Sequence, residues 1–364
     1  MTVMIYLIDT IGNETGMNQY DGAFRDEFSK KNINVTILSN YKEDGTRQLL
    51  INFYHGGPLK KIFRLIVSWV RLFCFRITHF KGVFVYQSFG LRIIDILFLL
   101  VFAGSSKLFV ITHDIFEITD VSKGSLKRKL QNYVYRHWIK NVICHSEQAK
   151  ETLQKETSFC GNIICFPLFR YNFSKAYDET TLPDEIKNAA VSGKINMLFF
   201  GQIRESKGID VLIDAFKYIA TEKQLNVIIA GSDKSGSLAN VELPQNVVAI
   251  CRYIRDDELN YLFANAQAVL LPYKEIYQSA VLETVVYFQK YAIMSDVRAF
   301  KDFSEKYPSF GVTYSPNDGA ALASCMKKFV GNACSYNADD IQKYEEDRDI
   351  EKLISQMRKV TPSL

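Results

Sequence analysis

Residues 195–216 read INMLFFGQIRESKGIDVLIDAF, and the change of period inside them decides the fold. Ile195–Phe200 is a short, almost unbroken apolar run, the pattern of a buried strand. Gly201 permits a tight turn behind it. After Gly208 the apolar residues recur with the spacing of an amphipathic helix. Strand, glycine, polar loop, glycine and helix form half of a parallel β-α-β unit.

The rhythm extends both ways from that stretch. Downstream it predicts strands at Asn226–Ala230, Val247–Ile250, Ala268–Leu271 and Tyr291–Met294. Upstream it predicts Met4–Ile8, Asn34–Leu38, Gly82–Tyr86, Leu108–Thr112, Asn141–His145 and Asn162–Cys165, with helical patterns between them. Such alternation gives parallel sheets covered by helices on both faces. It stops over Arg170–Ser192, a polar stretch with a Thr-Leu-Pro-Asp turn that reads as a linker. The expected architecture is α/β. A first Rossmann-like domain spans 1–168, a linker 169–192 and a second Rossmann-like domain 193–337. The closing segment, 338–364, carries one helix over Ala338–Arg358 that packs back toward the first domain.

Composition removes several function classes. Hydrophobic residues make up 48% of the 364, enough for two cores and too many for a disordered chain. The seven cysteines are odd in number and form no Cys-x-x-Cys pair, which argues against a disulfide framework and a zinc site and fits a reducing cytoplasm. The opening MTVMIYLIDTIG lacks a basic leader and reads as a first buried strand. The longest apolar run, Ile93–Ala103, contains Asp95 and is too short to span a bilayer. Neither half opens on a P-loop or a Gly-x-Gly-x-x-Gly, which speaks against an ATPase and a dinucleotide oxidoreductase.

Open parallel sheets bind ligands beyond the carboxyl ends of their strands. Behind Ile195–Phe200, Arg204 and Lys207 precede a helix start, and cations beside exposed backbone N–H groups suit a diphosphate. Behind Ala268–Leu271 come Pro272, Tyr273 and then KEIYQSAVLE, residues 274–283, with Glu275 near one end and Glu283 at the other. Gln278 or Ser279 is the expected helix cap, and a carboxylate near that helix start suits the hydroxyls of a ribose. Each pattern alone is weak. A lone Arg-x-x-Lys is usually a solvated loop, and two glutamates eight apart are common by chance.

Together, FFGQIRESKGIDVLIDAF (199–216) and LFANAQAVLLPYKEIYQSAVLE (262–283) resemble the retaining nucleotide-sugar glycosyltransferases of family 4, the group 1 type, in their bacterial surface-polysaccharide branch. VITHDI (110–115), NVICHSEQAKETL (141–153) and IGNETGMNQY (11–20) are similar to that family's N-terminal domain. The resemblance implies a GT-B fold, two Rossmann-like domains facing a central cleft. It also implies roles. Glu283 binds the donor ribose, and Glu275 and His113 lie beside the donor sugar. Gly201, Arg204 and Lys207 hold the diphosphate, with backbone amides at Gln278 and Ser279. Tyr253 and Ile254 flank the base, and Gly16 and Glu14 lie on the acceptor side, with Asp21 nearby. The family's arginine directly after the first glycine is here Gln202, and Arg204 is expected to substitute. The residues after Glu275 are Ile-Tyr-Gln instead of a glycine-rich run, which leaves the sugar open. The implied reaction moves a sugar from a UDP-sugar or GDP-sugar to a hydroxyl with retention, without a metal or a further cofactor. The leaving phosphate takes the acceptor proton. A carboxylate pair working as in retaining glycosidases is the competing scheme.

The acceptor side draws on charge. Up to Leu168 the chain carries 21 Lys and Arg against 14 Asp and Glu, and beyond it 23 against 26. Leu59–Phe80, LKKIFRLIVSWVRLFCFRITHF, contains no acid and sorts into a basic and an apolar side on a helical wheel. Lys127–Lys140 is likewise basic. These stretches predict an anionic membrane surface as partner, a peripheral place on the inner face of the plasma membrane and a lipid-linked glycan as acceptor. An ordinary domain helix with a solvated basic side is the alternative. No nucleic-acid motif accompanies the basic stretches. Two rival functions remain on sequence: a nucleotide-sugar epimerase, which needs acid–base groups of which only His113 is a fair candidate, and a non-catalytic sugar-nucleotide-binding scaffold.

Overall fold

The computed structural model describes residues 4–12, 17–43, 45–116, 125–157, 159–170, 174–329, 336–362 and 364. The chain forms two compact units, Met1–Tyr171 with Asp347–Leu364, and Asn172–Glu346.

The first unit runs β1 (Met4–Ile8), α1 (Met17–Ser29), β2 (Asn34–Ser39), β3 (Thr46–Gln48), α2 (Pro58–Thr78), β4 (Val83–Phe89), α3 (Ile93–Leu99), β5 (Leu108–Asp114), α4 (Leu126–His137), β6 (Asn141–Cys144), α5 (Glu147–Thr157) and β7 (Asn162–Cys165). The second runs α6 (Asp184–Lys187), β8 (Ile195–Phe200), α7 (Ile209–Ile219), β9 (Leu225–Ala230), β10 (Val247–Ile250), α8 (Asp256–Asn265), β11 (Ala268–Leu271), α9 (Ala280–Tyr287), β12 (Tyr291–Ser295), α10 (Arg298–Lys306), β13 (Gly311–Tyr314), α11 (Gly319–Lys328) and α12 (Ala338–Asp347), and α13 (Ile350–Val360) returns to the first unit.

Both sheets are parallel, with orders β3-β2-β1-β4-β5-β6-β7 and β10-β9-β8-β11-β12-β13. In each, the winding reverses at one point, between β1 and β4 in the first unit and between β8 and β11 in the second. Such switch points open the crevices in which doubly wound sheets hold ligands. The central strands are apolar on both sides because helices cover both faces; β5 is buried from Leu108 to His113.

Every predicted strand forms. Two more lay below the signal. β3 is a three-residue edge strand, Thr-Arg-Gln, with no apolar residue, and β13 begins at a glycine. Gly311 is required there, since a Cβ would lie 2.3 Å from the Ala292 carbonyl oxygen. The stretch read as a linker contributes three residues to a core. Leu182, Ile186 and Ala189 recur at helical spacing and are buried in the second unit. The single helix expected over Ala338–Arg358 is two, because Asp349 leaves the helical path and its carboxylate caps α13 by accepting from Glu351 N at 3.0 Å.

The helix expected over Leu59–Phe80 forms as α2, and most of its apolar side faces outward. Ser68, Leu72 and Phe75 are its buried residues. Two of its cations turn inward with them: Arg64 donates to the Asn52 and His55 carbonyls at 3.0 and 3.1 Å, and Arg76 lies over the Phe84 ring at 5.2 Å. In α4, Arg128 is buried against Phe116, so it leaves the basic surface expected over Lys127–Lys140. No helix among the described residues is long and apolar enough to cross a membrane.

Candidate functional site

In the second unit, the switch point between β8 and β11 is built by two loops that the backbone forces together. The first leaves β8 through Gly201 (φ 120°), whose carbonyl lies so close to Gly231 (φ 155°) that a Cβ on Gly231 would sit 1.7 Å from it. Ile203 anchors the loop in the core, and Arg204 stands exposed after it. One 3-10 turn, Glu205–Lys207, ends on Gly208, left-handed at φ 71°. A Cβ there would lie 1.7 Å from the Pro272 carbonyl oxygen, so the second loop passes directly across the start of α7.

That second loop, behind β11, is laced to the first. Lys274 N donates to the Ser206 carbonyl at 3.1 Å. The Lys274 ammonium meets Glu205 Oε1 at 3.0 Å and Asp210 Oδ2 at 2.7 Å. Tyr273 is buried, and the Lys207 Nζ lies 3.7 Å from the centre of its ring. Burial pushes the Tyr273 phenol well up, so it stays neutral beneath that cation. Ser279 caps α9, its Oγ accepting from Leu282 N at 3.1 Å, and Gln278 is half-buried beside it. Glu283, one turn into α9, is buried and accepts from the Tyr344 hydroxyl of α12. Glu275 is exposed. The result is two cations, Arg204 and Lys207, in the loop leading to one helix start, and a second capped helix start across the switch point. This arrangement suits a diphosphate. On the loop behind β10, Tyr253 is 74% exposed while Ile254 is buried. Arg252 between these elements is bound to Glu185 and Glu258, at 2.7 Å to each.

The first unit holds a buried polar cluster at the carboxyl ends of β1, β4, β5 and β6. Asp9 accepts from the Ile11 and Gly12 amides at 2.8 and 2.7 Å and from Ser39 Oγ at 3.2 Å, folding the turn behind β1. Asp21 accepts from Tyr41 at 3.1 Å and from the Gln87 amide. Since that amide nitrogen points at Asp21, the Gln87 carbonyl oxygen points at His113 and accepts from its Nε2–H at 3.1 Å. His113 lies within β5, sandwiched by Phe89 (ring centres 4.5 Å apart), Tyr20 and His145. Burial, and then the neighbouring His145, hold its pKa well below the usual imidazole value. His145 donates Nδ1–H to the Phe166 carbonyl at 2.8 Å and accepts from the Tyr20 hydroxyl at 3.0 Å; burial lowers its pKa to about 4. Both rings are neutral at pH 7. Burial pushes the Asp21 carboxyl well up, helped by Asp9 next to it, and burial raises Asp9 as well.

Of the sequence candidates, the structure brings Gly201, Arg204, Lys207, Gln278, Ser279, Glu275 and Glu283 onto the two loops of one switch point. Tyr253 and Ile254 sit two strands away behind β10. His113 belongs to the other unit, where its Nε2 joins a chain of buried hydrogen bonds through Gln87 to Asp21. Glu14 and Gly16 lie outside the described residues. Asp21, considered as an aid to the acceptor hydroxyl, is fully buried and its carboxyl is occupied. Sequence reasoning missed Lys274, Tyr344, Gln87 and Asp9. Only Lys274 carried a signal, its place directly behind the Pro-Tyr that ends β11.

Residues 194–332, from β8 through α11, match the model of a family described as "Glycosyl transferases group 1". No curated protein matches the sequence. Among solved structures, a sucrose-phosphate synthase from Thermosynechococcus elongatus superposes with a TM-score of 0.71 at 15% identity, covering 99% of this chain and 98% of that one. Anabaena HepE, solved with UDP and glucose, gives 0.67 at 14% identity over 100% of both chains. An α,α-trehalose 6-phosphate synthase from Burkholderia multivorans gives 0.68 at 9% identity, covering 100% and 98%. The chain has the GT-B fold of these proteins.

Proposed function

We propose that this chain is a nucleotide-sugar-dependent glycosyltransferase of group 1 type, and that its donor site is the clasped pair of loops at the β8–β11 switch point. The observation that carries this reading is the close approach of Gly208 to the Pro272 carbonyl, because it fixes Arg204, Lys207 and the capped start of α9 around one crevice. The group 1 match covers both loops. In this reading the diphosphate binds Arg204, Lys207 and the α9 amides, the ribose hydroxyls bind Glu283, and the base stacks on the exposed Tyr253. Negative charge builds on the diphosphate as the glycosidic bond breaks, and preorganised cations and amides stabilise it without a metal. We assign retention, with the leaving phosphate accepting the acceptor proton. His113 is neutral and tied to Gln87, which suits it to orient a hydroxyl and not to act as an acid near pH 7. The acceptor we assign is a lipid-linked glycan of a bacterial surface polysaccharide, with the protein peripheral on the inner leaflet. The support is the cation-flanked apolar surface of the first unit.

Thermal stabilisation by nucleoside diphosphates tests the donor site. At a concentration 100-fold above Kd, one diphosphate should stabilise the protein by about 2.7 kcal/mol, and Lys207→Ala and Glu283→Ala should remove most of that shift. Stabilisation that survives both substitutions would place the donor elsewhere and sink the assignment.

A further inference from the structure

We propose that the Tyr273 hydroxyl is a further ligand of the diphosphate, donating to the phosphate that the start of α9 receives. The proposal rests on the donor site assigned above and adds a side chain to it. Tyr273 follows Pro272 behind β11, and its ring is locked in the second unit's core, 1% exposed and 5.3 Å from Phe300 between ring centres. Ser295 Oγ donates to its carbonyl oxygen. The far end of the ring is polar and unanswered: the hydroxyl is buried and has no hydrogen-bond partner. A buried hydroxyl in that state costs stability, and native structures keep few of them without a cause. Among the described residues the hydroxyls of Thr10, Tyr54, Tyr273 and Tyr314 share it, and only Tyr273 stands on the loops of the β8–β11 switch point.

The surroundings say which partner is missing. The charge of Arg204 acts on the hydroxyl, and the Lys207 Nζ lies 3.7 Å from the ring centre. Ser279, the cap of α9, is its polar neighbour, with an Oγ that already accepts from Leu282 N. The charges here are positive, and the helix start adds backbone N–H groups. What this setting lacks is an anionic acceptor. The phenol keeps its proton and can donate it. A phosphate oxygen at the α9 amides would accept from Tyr273 while the other oxygens meet the two cations. Lys207 covers the ring with a flexible chain, so a diphosphate that draws the ammonium away opens the hydroxyl. Because the ring is fixed in the core, this donor needs no ordering when the ligand arrives.

The test is Tyr273→Phe in the full-length protein, which keeps the ring and removes the hydroxyl. Melting temperature is measured without ligand, and affinities for inorganic pyrophosphate, UDP and GDP by titration calorimetry. We expect the melting temperature to hold or rise, because an unsatisfied group has gone. Pyrophosphate, and whichever nucleotide binds, should weaken alike by about tenfold. Tyr314→Phe removes a hydroxyl of the same kind away from these loops and should leave every affinity unchanged. Unchanged affinities in Tyr273→Phe overturn the proposal, whatever the melting temperature does. So does a weakening that comes with a lowered melting temperature, since the hydroxyl then has a partner in the protein, or an equal weakening in Tyr314→Phe. Lys207→Ala separates this contact from the site on which it rests. Weakening by Lys207→Ala with none by Tyr273→Phe overturns the Tyr273 contact alone. Pyrophosphate affinity unchanged by both, or wild-type protein that binds none of the three ligands, overturns the donor site together with it.

Discussion

The two candidate centres of the molecule are built by opposite means. In the second unit the chemistry hangs on loops, and backbone geometry holds them: Gly208 is left-handed against Pro272, and Lys274 ties to Glu205 and Asp210. In the first unit the chemistry is buried among side chains drawn from Asp9 to His145, and hydrogen bonds hold it. A site made by backbone approach fails when a single Cβ is added. A site made by buried titratable groups fails when the pH moves. The difference makes each breakable without touching the other.

The largest effect is expected at Gly208. Two glycines of nearly equal φ separate strain from space: Gly208 at 71° and Gly104 at 72°. At Gly104 an added Cβ meets nothing within 4 Å. Gly104→Ala should therefore cost only the left-handed conformation, about 1–2 kcal/mol. Gly208→Ala must also part the two loops, and should cost about 3 kcal/mol or more in urea unfolding and abolish diphosphate stabilisation. Equal costs at the two positions would show that the close approach is not what holds the loops.

The same contrast explains what was legible in the sequence. Strand, glycine, cations, glycine and helix are consecutive, so the loop behind β8 could be read from residues 195–216, and Ser279 could be read as a cap. Tyr344 could not, because it reaches Glu283 from 61 positions away. Nor could the first unit's cluster, where Gln87 links Asp21 to His113 across 66 and 26 positions. A lone glutamine inside an apolar strand carries no sign of what it will face. The wheel of α2 was legible too, but not which side the sheet would take. Ser68, Leu72 and Phe75 are the residues that α2 buries.

An acid shift tests the first unit's cluster. His145 has its folded pKa lowered to about 4 from the unfolded value near 6.5, so between those values the unfolded chain binds the extra proton. Its contribution is present above pH 6.5 and is lost as pH falls toward 4; by pH 5 the loss is about 2 kcal/mol. His113, also lowered, acts in the same direction. Asp9 and Asp21, raised, act oppositely: their folded forms hold a proton that the unfolded chain has released, so they lose stability as pH rises. His145→Gln, which cannot take up the proton, should flatten the decline between pH 7 and 5 in thermal melts. A slope that is the same in wild type and variant would mean that His145 is not the group being charged.

The smallest effect should sharpen the second unit most. Tyr344 packs against Tyr307 and Phe310, and its hydroxyl donates to the buried Glu283 carboxylate. Tyr344→Phe keeps the ring and removes one donor, at a cost of about 1 kcal/mol. If Glu283 receives ribose hydroxyls while Lys207 receives phosphate, the two can be told apart by ligand. Tyr344→Phe should weaken a nucleoside diphosphate about fivefold, because the carboxylate loses the bond that aims it, and leave pyrophosphate unchanged. Lys207→Ala should weaken both. If Tyr344→Phe weakened pyrophosphate equally, Glu283 would be acting on the α9 helix start as a whole and not on a ribose, and the division of roles along residues 274–283 would have to be redrawn.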